Sequence, residues 1–302
     1  MKKEDASGIE NLTSMAENEF VDISNIREWD PETIPENFFI LISAKRRAGK
    51  SWLVRHILKP LKHRFKHAYL FSETAHLQDP NPFDFIPDSN KYDHFDEEIL
   101  LQMIRNQNMI KEKNLKLKKS LQLPNPILIV LDDVITGPQI RLSKALKALA
   151  TQGRHSNVSV ICLSQTISAK YGFPSVIRDN LDLFICFTLH SCFNRDTAAE
   201  CFASIVDKKE GIKLINSITQ EKPYQVAVFD LSLTNVKRYQ DYVFKYIAPN
   251  SLPKFMIGPK DEKYNKFITD TGRRLQSSVN FKLDKDIDVL NNIGFQLNFS
   301  KF

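Results

Sequence analysis

The chain has 302 residues, 42% of them hydrophobic, enough for one substantial α/β core and incompatible with disorder throughout. Its formal charge of +6, from 42 basic and 36 acidic residues, is too modest to prove a polyanionic partner. The charge is unevenly spread: Met1 to Glu36 holds ten acidic residues against three basic ones, whereas Ala44 to Ser72 holds nine lysines and arginines and no carboxylate.

Taken in chain order, "FFILIS" (38 to 43) reads as a buried strand. "KSWLVRHIL" (50 to 58) reads as a helix with Trp52, Leu53, Ile57 and His56 inward, stopped by Pro60. A strand follows at "HAYLFS" (67 to 72), then a proline-containing loop from Ala75 to Asn90, then a helix over 96 to 120 that becomes lysine-rich. "ILIVLDD" (127 to 133) predicts a strand ending in two aspartates, 139 to 151 a helix, and 158 to 165, 181 to 189 and 224 to 230 further strands. Strands apolar throughout and separated by helices predict an α/β fold with a mainly parallel central sheet flanked by helices.

Cys162, Cys186, Cys192 and Cys201 have neither CxxC spacing nor disulfide-scaffold density, which predicts reduced thiols in an intracellular setting, with Cys162 and Cys186 buried in strands. The longest strongly apolar runs are eight or nine residues and "MKKEDASGIE" lacks an apolar core. Neither a membrane span nor a signal peptide is expected, and the protein should be soluble.

The chemistry centres on "SAKRRAGKS" (43 to 51), a loosened match to the phosphate-loop pattern with Ala44 where glycine is usual. Its place between a predicted strand and a predicted helix lets backbone N–H groups and a helix N-terminus surround phosphate oxygens. The candidate nucleotide-binding residues are Ala44, Lys45, Arg46, Arg47, Ala48, Gly49, Lys50, Ser51 and Trp52. Within them Lys50 suits the β- and γ-phosphates and Ser51 a magnesium ion; Asp132 would hold that ion through its water shell, and Asp133 would orient the attacking water. On their own the two aspartates could equally be a strand-end turn or a helix cap. Gln165 in "LSQT", at a strand end, can hydrogen-bond a γ-phosphate or the lytic water, or else cap a helix or stabilise a loop. Arg154 in "TQGRHSN" stands before a strand, opposite the catalytic end, and is suited to a neighbouring subunit's nucleotide; a surface salt bridge or a DNA contact is the alternative.

The order "SAKRRAGKS", "ILIVLDD", "TQGRH", "LSQT" resembles the genome-packaging ATPases of large double-stranded DNA viruses, the poxvirus-type branch of the FtsK-HerA superfamily. The resemblance covers roughly residues 36 to 230 and implies a RecA-like P-loop NTPase fold, ATP and Mg2+ as cofactors, and an oligomeric ring that drives double-stranded DNA into a capsid. It also implies capsid proteins at the packaging vertex as partners, no membrane insertion, and a place in the host-cell cytoplasm or at the viral assembly site. By motif, Lys50 and Ser51 resemble the family's phosphate-loop residues, Asp132 and Asp133 its metal and catalytic acids, Gln165 its strand-end sensor and Arg154 its subunit-bridging arginine. Ala44 departs from a common glycine, and Asp133 stands where many related motors have glutamate.

The expected organisation is an acidic extension (1 to 35), a P-loop ATPase domain (36 to 250) and a C-terminal extension (251 to 302). The lysines at 111, 113, 116, 118 and 119 are candidate DNA contacts or a solvated helix face. Lys45, Arg46 and Arg47 could face nucleotide, a neighbour or the capsid. "FNRDT" (193 to 197) is not the base-reading motif of a GTPase. Two other functions remain open at this level: a DNA helicase or other DNA-processing P-loop ATPase, and a nonenzymatic DNA or capsid adaptor with a degenerate loop.

Overall fold

The computed structural model describes residues 21–77, 81–117, 125–134, 140–169 and 173–258. The strands are β1 (Phe39–Ser43), β2 (His67–Ser72), β3 (Lys91–Tyr92), β4 (Ile127–Asp132), β5 (Val158–Ser164), β6 (Leu183–Cys186), β7 (Val226–Asp230) and β8 (Val243–Tyr246). The α-helices are α1 (Lys50–Leu61), α2 (Glu97–Leu115), α3 (Lys144–Gln152), α4 (Ser175–Arg178), α5 (Cys192–Phe202) and α6 (Lys208–Glu221). One sheet runs β3-β2-β4-β5-β1-β6-β7-β8, parallel from β3 to β6 and closed by the antiparallel β7 and β8.

The central strands are apolar on both sides because both sides are covered. All five residues of β1 are buried. Phe39 and Leu41 join one core with residues of α2, α3, α5 and α6, while Ile40 and Ile42 join the other with Leu53, Val54, Ile57, Leu58 and Leu61 of α1. Burying one such aliphatic side chain contributes about 1.5–3 kcal/mol, so the strand after which the candidate loop begins is among the best anchored in the fold. Cys162 and Cys186 lie in β5 and β6, where burial pushes both thiols up, as inert packing groups should behave.

Several boundaries differ from the sequence reading for local reasons. Pro60 lies inside α1 instead of stopping it; there it removes one donor from the final turn, which tightens into a short 3-10 turn over Lys62–Arg64. The helix expected over 139 to 151 begins at Lys144, because the Ser143 side chain accepts from the Leu146 amide and caps it, with a short 3-10 turn at Ile140–Leu142 before it. Asp96 caps α2 in the same way, accepting from the Ile99 amide. The strand expected over 181 to 189 spans Leu183–Cys186.

Flanking segments pack on the same core. Trp29 is buried with its ring edge-on to Tyr246, and Glu28 bridges Lys245. Arg55, only 1% exposed, donates to the carbonyl of Pro253 through Nε and Nη2 at 3.1 and 3.0 Å and to that of Pro82 at 3.1 Å, and pairs with Asp84. A buried guanidinium needs this many partners. It thereby ties residues 81–86 and 253–257 to α1, where Phe85 stacks on Phe255.

Candidate functional site

The loop between β1 and α1 has the geometry of an anion cradle. Arg47 and Gly49 hold φ 63 and 98, while Ala44, Arg46 and Ala48 lie outside the left-handed region. Alternating left-handed residues turn successive N–H groups into one concavity. Gly49 caps α1 without a side-chain hydrogen bond, leaving the first-turn donors open to a ligand. Ala44 needs no glycine freedom; it is buried and donates its amide to the Ser164 carbonyl at 3.2 Å. The conformational demand falls on Arg47 and Gly49.

Lys50 folds back over the loop, its ammonium 3.3 Å from the Ala44 carbonyl and 3.5 Å from Asp133 Oδ2. Asp133 follows the end of β4 in a left-handed conformation, φ 54, with its amide bonded to the Leu163 carbonyl. Gln165, one residue past β5, donates from Nε2 to the same Oδ2 at 3.0 Å. Its carbonyl accepts from Asn194 Nδ2 at 2.9 Å, which fixes the turn after β5 against α5. Parallel pairing of β4 with β5 and β5 with β1 explains why residues so far apart in sequence meet at one sheet edge.

Asp132 is 7% exposed and accepts from the Ser72 hydroxyl at 2.9 Å. Burial pushes its carboxyl up to about 6; the Asp133 charge adds to the rise, while the Ser72 hydrogen bond and Lys50 oppose it. Among the described residues no group of three or more His, Cys, Asp or Glu could hold a metal. The Ser51 hydroxyl and Asp132 carboxylate are hard oxygen donors, and a set this small fits magnesium, which keeps waters and substrate phosphates as its other ligands. A cation would also relieve the charge that burial disfavours on Asp132.

Beyond Asp133 the sheet edge opens into a cleft of about 600 Å³ lined by Glu73, His94, Phe95, Glu97, Asp133, Val134 and Ile140. Glu73 follows β2 as Asp133 follows β4, and the pairing of Ser72 with Asp132 brings both residues to the same end of neighbouring strands, where both line the cleft. Sequence reasoning passed over Glu73, Ser72 and Asn194. The strand order, with β2 beside β4, is the signal that finds the first two; Asn194 carries none.

Other candidates stand elsewhere. Arg154 precedes β5 in a 3-10 turn, Gly153–Ser156, at the opposite edge of the sheet; it is two-thirds exposed and 3.4 Å from Asp182 Oδ1. Trp52 is not inward as expected: the residue is 36% exposed, with Nε1 donating to the Pro249 carbonyl at 3.2 Å, because its helical position points off the core face held by Leu53 and Ile57. Lys45, Arg46 and Arg47 are exposed, and Ser51 is half-buried. Lys111 donates to the His155 carbonyl at 2.6 Å, Lys113 and Lys116 are exposed, and Lys118 and Lys119 lie outside the described residues. Among the described residues no helix is long and apolar enough to cross a membrane.

The chain is 27% identical over 214 residues to the uncharacterized protein 015R of Frog virus 3 (isolate Goorha), covering 70% of this chain and 62% of that relative's length. The structure matches that of the genome packaging NTPase B204 from Sulfolobus turreted icosahedral virus 2 in complex with AMPPCP, with a TM-score of 0.50 at 13% identity, over 74% of this chain and all of the other. That likeness is one of fold, a RecA-like P-loop NTPase fold with a mostly parallel sheet between helices. The model of the poxvirus A32 protein family matches residues 31–245, most of the chain and the whole of the site described above, and the protein belongs to that family.

Proposed function

We propose that this chain is an ATP-hydrolysing motor that moves double-stranded DNA into a viral capsid. The observation that carries the reading is the Lys50–Asp133–Gln165 chain of contacts beside an open anion cradle. Family membership and the packaging NTPase named for the matched structure support the assignment of its work to genome packaging.

In this reading the loop amides and Lys50 hold the phosphates and offset the charge that develops on the transferred group. Ser51 and Asp132 would hold magnesium, which would supply charge neutralisation to the phosphates. With Lys50 turned to the phosphates, Asp133 keeps the hydrogen bond from Gln165 at Oδ2, which leaves its other oxygen to align the attacking water. Loss of the γ-phosphate would release Lys50 toward Asp133 and shift Gln165, whose carbonyl bond to Asn194 carries the change into α5. Arg154, remote from its own site, serves a neighbour's nucleotide, which makes the active species an oligomeric ring. Contacts to DNA are to phosphates, since a packaging motor must run along any sequence, and they weaken as salt rises.

A translocation assay under conditions that permit assembly tests this. Displacement of a third strand from a duplex, dependent on ATP and without separation of the duplex strands, is the expected result. Strand separation without displacement would make the protein a helicase, and neither activity in an assembled, DNA-bound protein would leave an adaptor.

A further inference from the structure

The corner of the loop away from Asp133 carries a feature that no role above uses. Tyr224, between α6 and β7, is 71% exposed and holds φ 61, a left-handed conformation rare for a bulky side chain. Its ring lies against the phosphate loop: a Cβ placed on Gly49 would stand 3.8 Å from Tyr224 Cδ1 and 3.9 Å from the ring of Phe187. Trp52, three residues beyond Gly49, shares its side of the first helical turn and is braced by the Pro249 carbonyl.

Strand pairing brings these groups together. Val226 pairs with Tyr246, so Tyr224, two residues before it, and Pro249, three residues after, leave the β7–β8 ladder at the same end. Ala227 pairs with Cys186, so that end is the edge where the phosphate loop lies. In the sheet, β6 and β7 flank β1 on one side and β5 and β4 on the other. The two exposed rings therefore stand across the loop from Asp133 and the acidic cleft.

We propose that Tyr224 and Trp52 form the platform for the nucleotide's base, a purine ring stacked on an aromatic face. The inference rests on the phosphate-loop reading. With the phosphates over Gly49 to Ser51 and the γ end toward Asp133, the nucleoside leaves the loop on the β6–β7 side, where the rings stand. Stacking there takes little ordering on the Trp52 side, because the Pro249 carbonyl holds that indole. The left-handed turn at Tyr224 disfavours a bulky side chain, and the ring's contact with the phosphate loop is what offsets the cost.

Titration calorimetry of the full chain with Mg-ATP and with Mg-tripolyphosphate separates base from phosphates. Tyr224→Asn, which tolerates the left-handed backbone, is expected to weaken ATP about tenfold and leave tripolyphosphate unchanged, while Tyr224→Phe keeps both affinities. Lys50→Ala is expected to lose both ligands. If Lys50→Ala binds both like the parent, the phosphate-loop reading falls and takes the platform with it. If Lys50→Ala loses both but Tyr224→Asn binds ATP like the parent, or loses both ligands by one factor, the platform alone is overturned. The melting temperature of Tyr224→Asn is expected at or above the parent's; a clear fall would make the ring a structural support and overturn the proposal.

Discussion

The two edges of the central sheet hold charged groups in opposite states of engagement. At the edge after β1, β4 and β5, Lys50, Asp133 and Gln165 form one connected set, with Asp132 buried against Ser72 beside it. At the edge before β5 and β6, Arg154 reaches Asp182 at 3.4 Å while most of its side chain meets solvent. Burial raises the Asp182 carboxyl, and the Phe39 amide and Arg154 restrain that rise. The first edge is a site built from a single chain. The second presents an exposed cation remote from the first edge, the arrangement that the proposed service to a neighbour's nucleotide requires.

The sharpest way to break this contrast is to remove one cation from each edge. Lys50→Ala and Arg154→Ala are both expected to lower the turnover of the assembled protein by about 10³-fold. Only Lys50→Ala should lose ATP affinity, and Arg154→Ala should change stability by less than about 1 kcal/mol, as exposed ion pairs do. Normal assembled turnover in Arg154→Ala, measured by phosphate release, would reject the neighbour-serving arginine.

A smaller effect sharpens the acidic side. Asp133→Asn is expected to cost about 10²-fold in turnover and Glu73→Gln only a few-fold; the reverse order would move the water-orienting role across the cleft to Glu73. Gln165→Ala should cost about tenfold with ATP affinity held, because it loosens Asp133 without touching the loop. A Gln165→Ala variant that loses affinity and keeps turnover would make that side chain a nucleotide ligand instead.

The smallest effect concerns Asp132. Its carboxyl lies above its ordinary value, so its ionisation disfavours the folded state: the penalty is absent below the unfolded value of 3.8 and complete above about 6. Asp132→Asn should therefore melt higher than the parent near pH 7.5 and no higher near pH 4, in thermal scans without nucleotide. An equal gain at both values would point to packing and not to charge.

Much of the first edge was legible in the sequence. An apolar run ending in a phosphate-loop pattern, a second run ending in two aspartates and a third ending at Gln165 each name a strand end, and parallel pairing gathers strand ends. The loop's tolerance of Ala44 was not legible, since it depends on which residues take positive φ, here Arg47 and Gly49. Trp52 was misread because a large apolar side chain in an amphipathic helix suggests the core, yet its neighbours Leu53 and Ile57 already define that face. Arg55, Ser72 and Asn194 were out of reach for a different reason: each is polar and acts through a tertiary partner, and no local periodicity announces those partners. The strand β8 was missed because the alternating "VFKY" is short and half-exposed.

In the proposed function, one sheet edge of this chain hydrolyses ATP in the service of DNA movement. Steady-state phosphate release by the parent and by Asp133→Asn, each with and without duplex DNA, tests it most directly. Turnover in the parent that duplex DNA stimulates is expected, with about 10²-fold less in Asp133→Asn at unchanged ATP affinity. Turnover that ignores both duplex DNA and the Asp133 substitution would contradict it.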